Sequence, residues 1–270
     1  MTFLKQKGLN SIIMEKKVIL ISIDGMRPDG FLQCGNPFIH EMMKKATYTL
    51  DGRTVFPSVT LPCHTSLFHS VPPERHCTTT NTYVAPVHPV TGLFEQIKNS
   101  GGISAMYYGW EPLRDVSRPG SLRFAEYIHS YSADATDGLL TDRALERIRS
   151  DRPDFVFLYM VETDEKGGHD HGWMTPEYLS CIDAAIDNVR RVYEEFGNEY
   201  TVIVTADHGG HARSHGTDMA EDMTIPMFYI GEDFEEGKQL DGSTILDIAP
   251  TVTRVMGIPT PHEWEGQAII

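Results

Sequence analysis

The stretch Tyr200-Thr-Val-Ile-Val-Thr-Ala-Asp-His-Gly209 decides the fold. Tyr200–Thr205 has the uncharged, β-branched composition of a strand buried on both faces of a parallel sheet, and it runs straight into Asp207 and His208. Gly209 then permits a tight turn. An earlier run, Val18–Ile23, ends the same way in Asp24-Gly25, and Phe155–Val161 repeats the pattern ahead of Asp164 and His169. In open α/β sheets, ligands sit beyond the carboxyl ends of the strands. Carboxylates and imidazoles delivered together to that edge point to a metal site.

Between these runs the spacing predicts helices. Asn36 suits an N-cap and Pro37 a first helical position, for a helix over 37–45. A loop over 53–62 leads into a short helix over 63–69; a strand over 103–108 and an amphipathic helix over 138–150 follow. Pro176–Phe196 carries Leu179, Ile182, Ala185, Ile186, Val189 and Val192 at helical spacing with charges between them, as a long surface helix does. A further strand spans 225–230 and a capped helix 243–255. Strands alternating with helices imply βαβ units, hence an α/β three-layer sandwich whose mainly parallel central sheet carries helices on both faces. With no repeat, low-complexity tract or composition break, residues 1–270 read as one domain, residues 1–16 being a flexible arm.

The net charge of −15 argues against a nucleic-acid backbone or an anionic membrane as partner. Most of that charge is ordinary solubilising surface, and part of it suits clustered carboxylates around cations. Cys34, Cys63, Cys77 and Cys181 show no paired spacing, so free thiols in a reducing compartment are expected. Val18–Ile23 is too short to span a membrane, and the residues before it lack a signal-peptide core. A cytoplasmic location is the expectation.

Taken singly, each candidate has a plainer explanation. A carboxylate at a strand end, such as Asp24, is more often a cap or turn residue. Asp164 and His169 could belong to an ordinary polar loop, although Gly167 and Gly168 would let that loop fold back to bring both to one ion. His211 and His215 compete for a further ligand position, and spacing does not decide between them. Thr60 lies between Pro57 and Pro62 just ahead of a helix, where backbone N–H groups would face an anionic phosphate. Its hydroxyl needs activation, which metal coordination supplies. Tyr107-Tyr-Gly-Trp110 reads as core, Trp173 as packing or pocket rim, and His40, His64, His69, His88, His129 and His262 have no ligand spacing.

Together, Ser22-Ile-Asp24-Gly-Met-Arg-Pro28, Phe56-Pro-Ser-Val-Thr60-Leu-Pro62, Pro73-Glu-Arg-His76, Asn81, Gly168-His169-x-x-Gly172, Ala206-Asp-His-Gly209 and His215-Gly-Thr-Asp218 resemble the nucleotide pyrophosphatase/phosphodiesterase branch of the alkaline phosphatase superfamily. The resemblance implies an alkaline phosphatase-like fold and two divalent ions, zinc in the first place and manganese as the alternative. One ion would be held by Asp24, Thr60, Asp207 and His208, the other by Asp164, His169 and His215. His215 is preferred over His211 on this ground, because the family's last ligand precedes a glycine and a small hydroxyl residue. Asn81 matches the asparagine that donates to a phosphoryl oxygen.

Three departures stand out. The Asp164–His169 gap is one residue longer than usual, so the loop must bulge or Glu165 compete as ligand. Val59 replaces the lysine of many extracellular members. Only a few residues separate His208 from His215, where those members carry a long insert. The implied activity is hydrolysis of a small phosphate diester by Thr60 through a covalent phosphothreonine. A phosphomonoesterase or phosphonate hydrolase, with Arg27 or Arg213 supplying extra positive charge, and a catalytically silent metal-binding module are the alternatives. Homo-oligomerisation is left open.

Overall fold

The computed structural model describes residues 14, 16–86 and 88–270. The arm expected over 1–16 lies almost wholly outside the described residues. Of it, Met14 is buried beside Gly102, and Lys16 pairs with Asp233.

Seven strands form one sheet: β1 (Lys17–Ile23), β2 (Thr47–Arg53), β3 (Ser104–Tyr108), β4 (Phe124–Tyr127), β5 (Phe155–Met160), β6 (Tyr200–Thr205) and β7 (Thr224–Ile230). Their order is β2-β7-β6-β1-β5-β3-β4. β1 runs parallel to both β5 and β6, and β3 runs parallel to β4 and β5. Only β7 opposes its neighbours, β6 and β2. β5 and β6 are buried at every position, and β1 at all but its first, because layers of helices cover the sheet. One layer groups the Pro176–Phe196 helix with those at Pro28–Gln33, Phe38–Lys45 and Thr136–Asp151; another groups Thr60–His69 with Leu93–Asn99 and Ile248–Val255.

The register places three strand ends level. Ser22 pairs with Thr205 of β6, and Ile23 with Met160 of β5. The chain therefore leaves β1, β5 and β6, three adjacent strands, at one edge of the sheet.

Some boundaries move. The helix expected from Cys63 begins at Thr60, since Pro62 falls in the first turn, where a missing N–H costs nothing. The helix expected over 243–255 is a short 3₁₀ turn, Ile245–Asp247, followed by Ile248–Val255. The helix expected at Pro37 begins at Phe38, whose N–H still takes the Asn36 side chain as acceptor at 3.0 Å.

Candidate active site

Asp24 follows β1, Asp207 follows β6, and Asp164 follows β5. Gly25 ties the three together. Its φ of +66° is a left-handed conformation, its N–H donates to Asp207 Oδ1 at 3.2 Å, and a Cβ there would stand 3.0 Å from Asp164 Oδ1. Its carbonyl accepts from Trp173 Nε1 at 2.9 Å and from the Tyr178 hydroxyl at 2.8 Å. Trp173 is thus a buried brace rather than a pocket rim.

After β5 the chain winds as a π-helical turn, Thr163–His169. Such a turn takes in one residue more than an α turn and hydrogen-bonds residues five apart, so the bulge expected at the long Asp164–His169 gap takes this form. His169 Nε2 lies 3.3 Å from Asp164 Oδ2. Gly168 is required by the brace, because a Cβ there would meet the Trp173 ring at 2.5 Å. Among the described residues, the groups able to share one ion are Asp24, Asp207 and His208, and Asp164, His208 and His215; Glu165 and His211 stay outside them, and so does the expected ligand His169, although its Nε2 reaches Asp164. His211 Nδ1 is engaged instead by the Asp222 carboxylate at 2.7 Å.

The three cluster histidines are oriented alike. Nδ1 of His208 donates to the Gly209 carbonyl at 2.8 Å, that of His169 to the Arg213 carbonyl at 3.1 Å, and that of His215 to the Ser58 carbonyl at 2.9 Å. A carbonyl can only accept, so each Nδ1 carries a proton; the neutral His208 and His215 rings then present a lone pair at Nε2, while His169 Nε2 donates to Asp164. Those lone pairs face carboxylates. His208 Nε2 lies 3.3 Å from both Asp24 Oδ1 and Asp207 Oδ2, and His215 Nε2 lies 3.8 Å from Asp164 Oδ1. The His208 and His215 rings stack, with centroids 3.9 Å apart.

Thr60 is the first residue of its helix, with its hydroxyl 3.2 Å from His208 Nε2. The Asn81 side-chain oxygen accepts from the Leu61 N–H at 3.0 Å, which anchors Asn81 at the same helix terminus. Ser58 Oγ donates to the Thr217 carbonyl at 2.7 Å, joining the Thr60 approach to the His215 loop.

Burial and mutual charge shift the titration of the cluster. Burial, then the charges of Asp207 and Asp164, push the Asp24 pKa well above its ordinary value, and burial also raises Asp207. Burial raises Asp164 too, but the His169 hydrogen bond and nearby imidazoles outweigh it and hold that carboxyl below its ordinary value. His169 is lifted to about 8 by the same bond. Burial lowers His208, and it lowers His215 to about 4. Asp24 Oδ1, Asp164 Oδ1 and Asp207 Oδ2 are buried without a hydrogen-bond partner. Unpaired carboxylate oxygens facing imidazole lone pairs fit divalent cations, which would satisfy both.

Several supporting residues had no sequence signal. The Tyr159 hydroxyl donates to Asp24 Oδ2. Asp137 accepts the backbone N–H groups of Val161 and Glu162 at 2.9 and 3.0 Å, while Glu162 accepts those of Thr136 and Asp137, fixing the exit from β5. Asp222 accepts from Thr217 as well as His211 and so holds the His215 loop.

The profile of the family described as type I phosphodiesterase / nucleotide pyrophosphatase matches residues 18–223, which include every residue of this cluster. The chain belongs to that family. The 2,3-bisphosphoglycerate-independent phosphoglycerate mutase of Clostridioides difficile (strain 630) is 28% identical over 137 residues, 48% of this chain and 26% of the mutase. The mutase of the same name from Clostridium botulinum (strain Langeland / NCTC 10281 / Type F) is 30% identical over 138 residues, with the same coverage. The chain thus spans about a quarter of the length of these curated relatives. Among solved structures, an inactive murine ectonucleotide pyrophosphatase / phosphodiesterase 5 in complex with AMP is similar with a TM-score of 0.79 at 16% identity, over 93% of this chain and 98% of that one. A phosphonate monoester hydrolase from Silicibacter pomeroyi gives 0.72 at 14% identity, over 94% and 76%. These likenesses establish the alkaline phosphatase-like fold. Among the described residues, no helix is long and apolar enough to cross a membrane.

Proposed function

We propose that this family member is a metal-dependent hydrolase of phosphodiester or pyrophosphate bonds in small phosphate esters, with Thr60 as nucleophile and a covalent phosphothreonine intermediate. One observation carries the reading. Three imidazoles, each with Nδ1 spent on a carbonyl, aim Nε2 at three buried carboxylates with orphaned oxygens, beside a hydroxyl at a helix N-terminus.

Asp24, Asp207, His208 and Thr60 would hold one cation, and Asp164, His169 and His215 the other. The donor set of imidazole and carboxylate suits zinc, with manganese as the alternative. Bound there, two divalent cations would lower the pKa of the Thr60 hydroxyl and neutralise phosphoryl charge. Thr60 Oγ1 attacks phosphorus in line; its bond to phosphorus forms as the bond to the leaving alcohol or phosphate breaks, and water then cleaves the phosphothreonine. The Asn81 amide and the Thr60 backbone N–H stabilise a non-bridging oxygen, each on the order of 3 kcal/mol. Thr60 and Asn81 both stand at the cluster, which favours catalysis over a silent metal-binding module.

The test is release of p-nitrophenol from bis-p-nitrophenyl phosphate, compared with the monoester and sulfate analogues, with and without EDTA. Diester turnover should lead and EDTA should abolish it. Thr60→Ala should lose turnover while keeping its metal. Full rate in that variant would overturn the nucleophile, and full rate in EDTA would overturn the metal site.

A further inference from the structure

His64 lies outside the metal cluster yet touches three of its supports. Its ring is completely buried. Nδ1 stands 2.9 Å from the Thr60 carbonyl oxygen and 3.4 Å from Asp207 Oδ2, and Nε2 stands 3.0 Å from Ser22 Oγ. Because the carbonyl can only accept, Nδ1 carries the proton and Nε2 accepts a hydrogen bond from the Ser22 hydroxyl. Ser22 lies in β1 two residues before Asp24, which follows the strand. The His64 ring also meets Tyr159 edge-on, with centroids 5.2 Å apart, and Tyr159 is the residue that donates to Asp24.

One imidazole therefore joins the helix that begins at Thr60, the strand that delivers Asp24, and the Asp207 carboxylate. A satisfied core histidine would need only two of these contacts. The third, to Asp207 Oδ2, reaches an oxygen that has no hydrogen-bond partner and that faces His208.

Resting on the function proposed above, we propose that His64 is a positioning residue for that reaction: its Nδ1–H bonds the Thr60 carbonyl while the same edge of the ring stands 3.4 Å from Asp207 Oδ2, and so sets where the nucleophile stands relative to Asp207 and a cation held there. Partners of this outer kind change metal affinity or activity by about 10- to 100-fold when removed.

Asn and Gln at this position separate the two ring nitrogens, since the Asn amide falls near imidazole Nδ1 and the Gln amide near imidazole Nε2. Metal-free protein is titrated with Co²⁺ and followed by its visible d–d absorption, alongside kcat and KM for bis-p-nitrophenyl phosphate. His64→Gln should bind Co²⁺ about 10- to 100-fold more weakly with a shifted spectrum, and kcat should fall while KM holds. His64→Asn should keep the wild-type spectrum and most of the affinity. Wild-type protein that binds no Co²⁺ overturns the metal site and this inference with it. A wild type that binds, with Asn and Gln variants alike, overturns the inference alone. Should the Gln chain not fold, the Asn variant decides: a spectrum displaced from wild type refutes the role of Nδ1.

Discussion

Asp164 and His169 face each other across a single π turn, with Nε2 3.3 Å from Oδ2. The imidazole is partly exposed and its Nδ1 bonds only a backbone carbonyl, so its loss should leave the fold intact. His169→Ala is expected to retain one tightly held ion and to lose the second, with turnover down at least about 100-fold. Elemental analysis of the purified variant checks this. Two full equivalents of metal in His169→Ala would remove it from the ligand set.

Asp24 bears most on the metal-free state. Its folded pKa is raised by burial and by Asp207 and Asp164, so the folded chain binds a proton that the unfolded chain releases above about 4. Its share of stability is whole below that pH and declines as pH rises toward the folded value. Asp24→Asn removes this term. In EDTA the variant should melt above wild type, by roughly 2–4 °C for each kcal/mol gained, with a gap that widens as pH rises from about 4. With Zn²⁺ added the order should reverse, because only wild type keeps the ligand. Thermal melts in both conditions measure it, and an unchanged order on adding Zn²⁺ would contradict a metal role for Asp24.

Much of this was legible because it is local. The buried-strand runs ending in Asp24-Gly25 and Asp207-His208 carry their meaning within a few residues, and they set both sheet order and site edge. β2 was not legible: Thr-Tyr-Thr-Leu-Asp-Gly-Arg is polar and irregular, shifts register between Thr49 and Gly52, and lies at the end of the strand order beside β7. Spacing left His211 and His215 level and the resemblance chose His215; Asp222, which holds His211, lies outside the motif and gave no signal. His64 shows no ligand spacing because its partner Ser22 is 42 residues away in sequence. The long Asp164–His169 gap pointed to a bulge, but spacing alone did not say that it would be a π turn.

His76 predicts an acid-sensitive term remote from the metals. Burial, with help from His69, lowers its pKa to about 4; Ser66 Oγ lies 2.9 Å from Nε2, and the Thr78 N–H donates to Nδ1. The unfolded chain takes up a proton below about 6.5 that the folded chain refuses until about 4. The stability His76 contributes is therefore complete above about 6.5 and drains away as pH falls toward 4. His76→Asn keeps an acceptor for Thr78 and deletes the titration. Its denaturation free energy should depend on pH less steeply than wild type across that window, by close to one proton. Parallel slopes in urea titrations would show that the ring is not held neutral.

Arg213 sets the last expectation, on substrate charge. Of the two arginines near the cluster, Arg27 is committed: its guanidinium pairs with Asp29 and donates to the Gly210 carbonyl at 3.0 Å. Arg213 is exposed and donates through Nε to the His169 carbonyl at 2.9 Å, while His169 donates back to the Arg213 carbonyl. Among the described residues no ion pair engages it, so its terminal nitrogens can meet a second negative charge on the substrate. A monoester carries that charge and a simple diester does not. One charge-assisted hydrogen bond is worth about 1.5–3 kcal/mol, so Arg213→Ala should lower monoester kcat/KM by roughly ten-fold or more and leave the diester nearly untouched. The diester-to-monoester ratio, measured at low and high salt, is the readout. A ratio unmoved by the substitution would leave Arg213 as a brace for His169 alone.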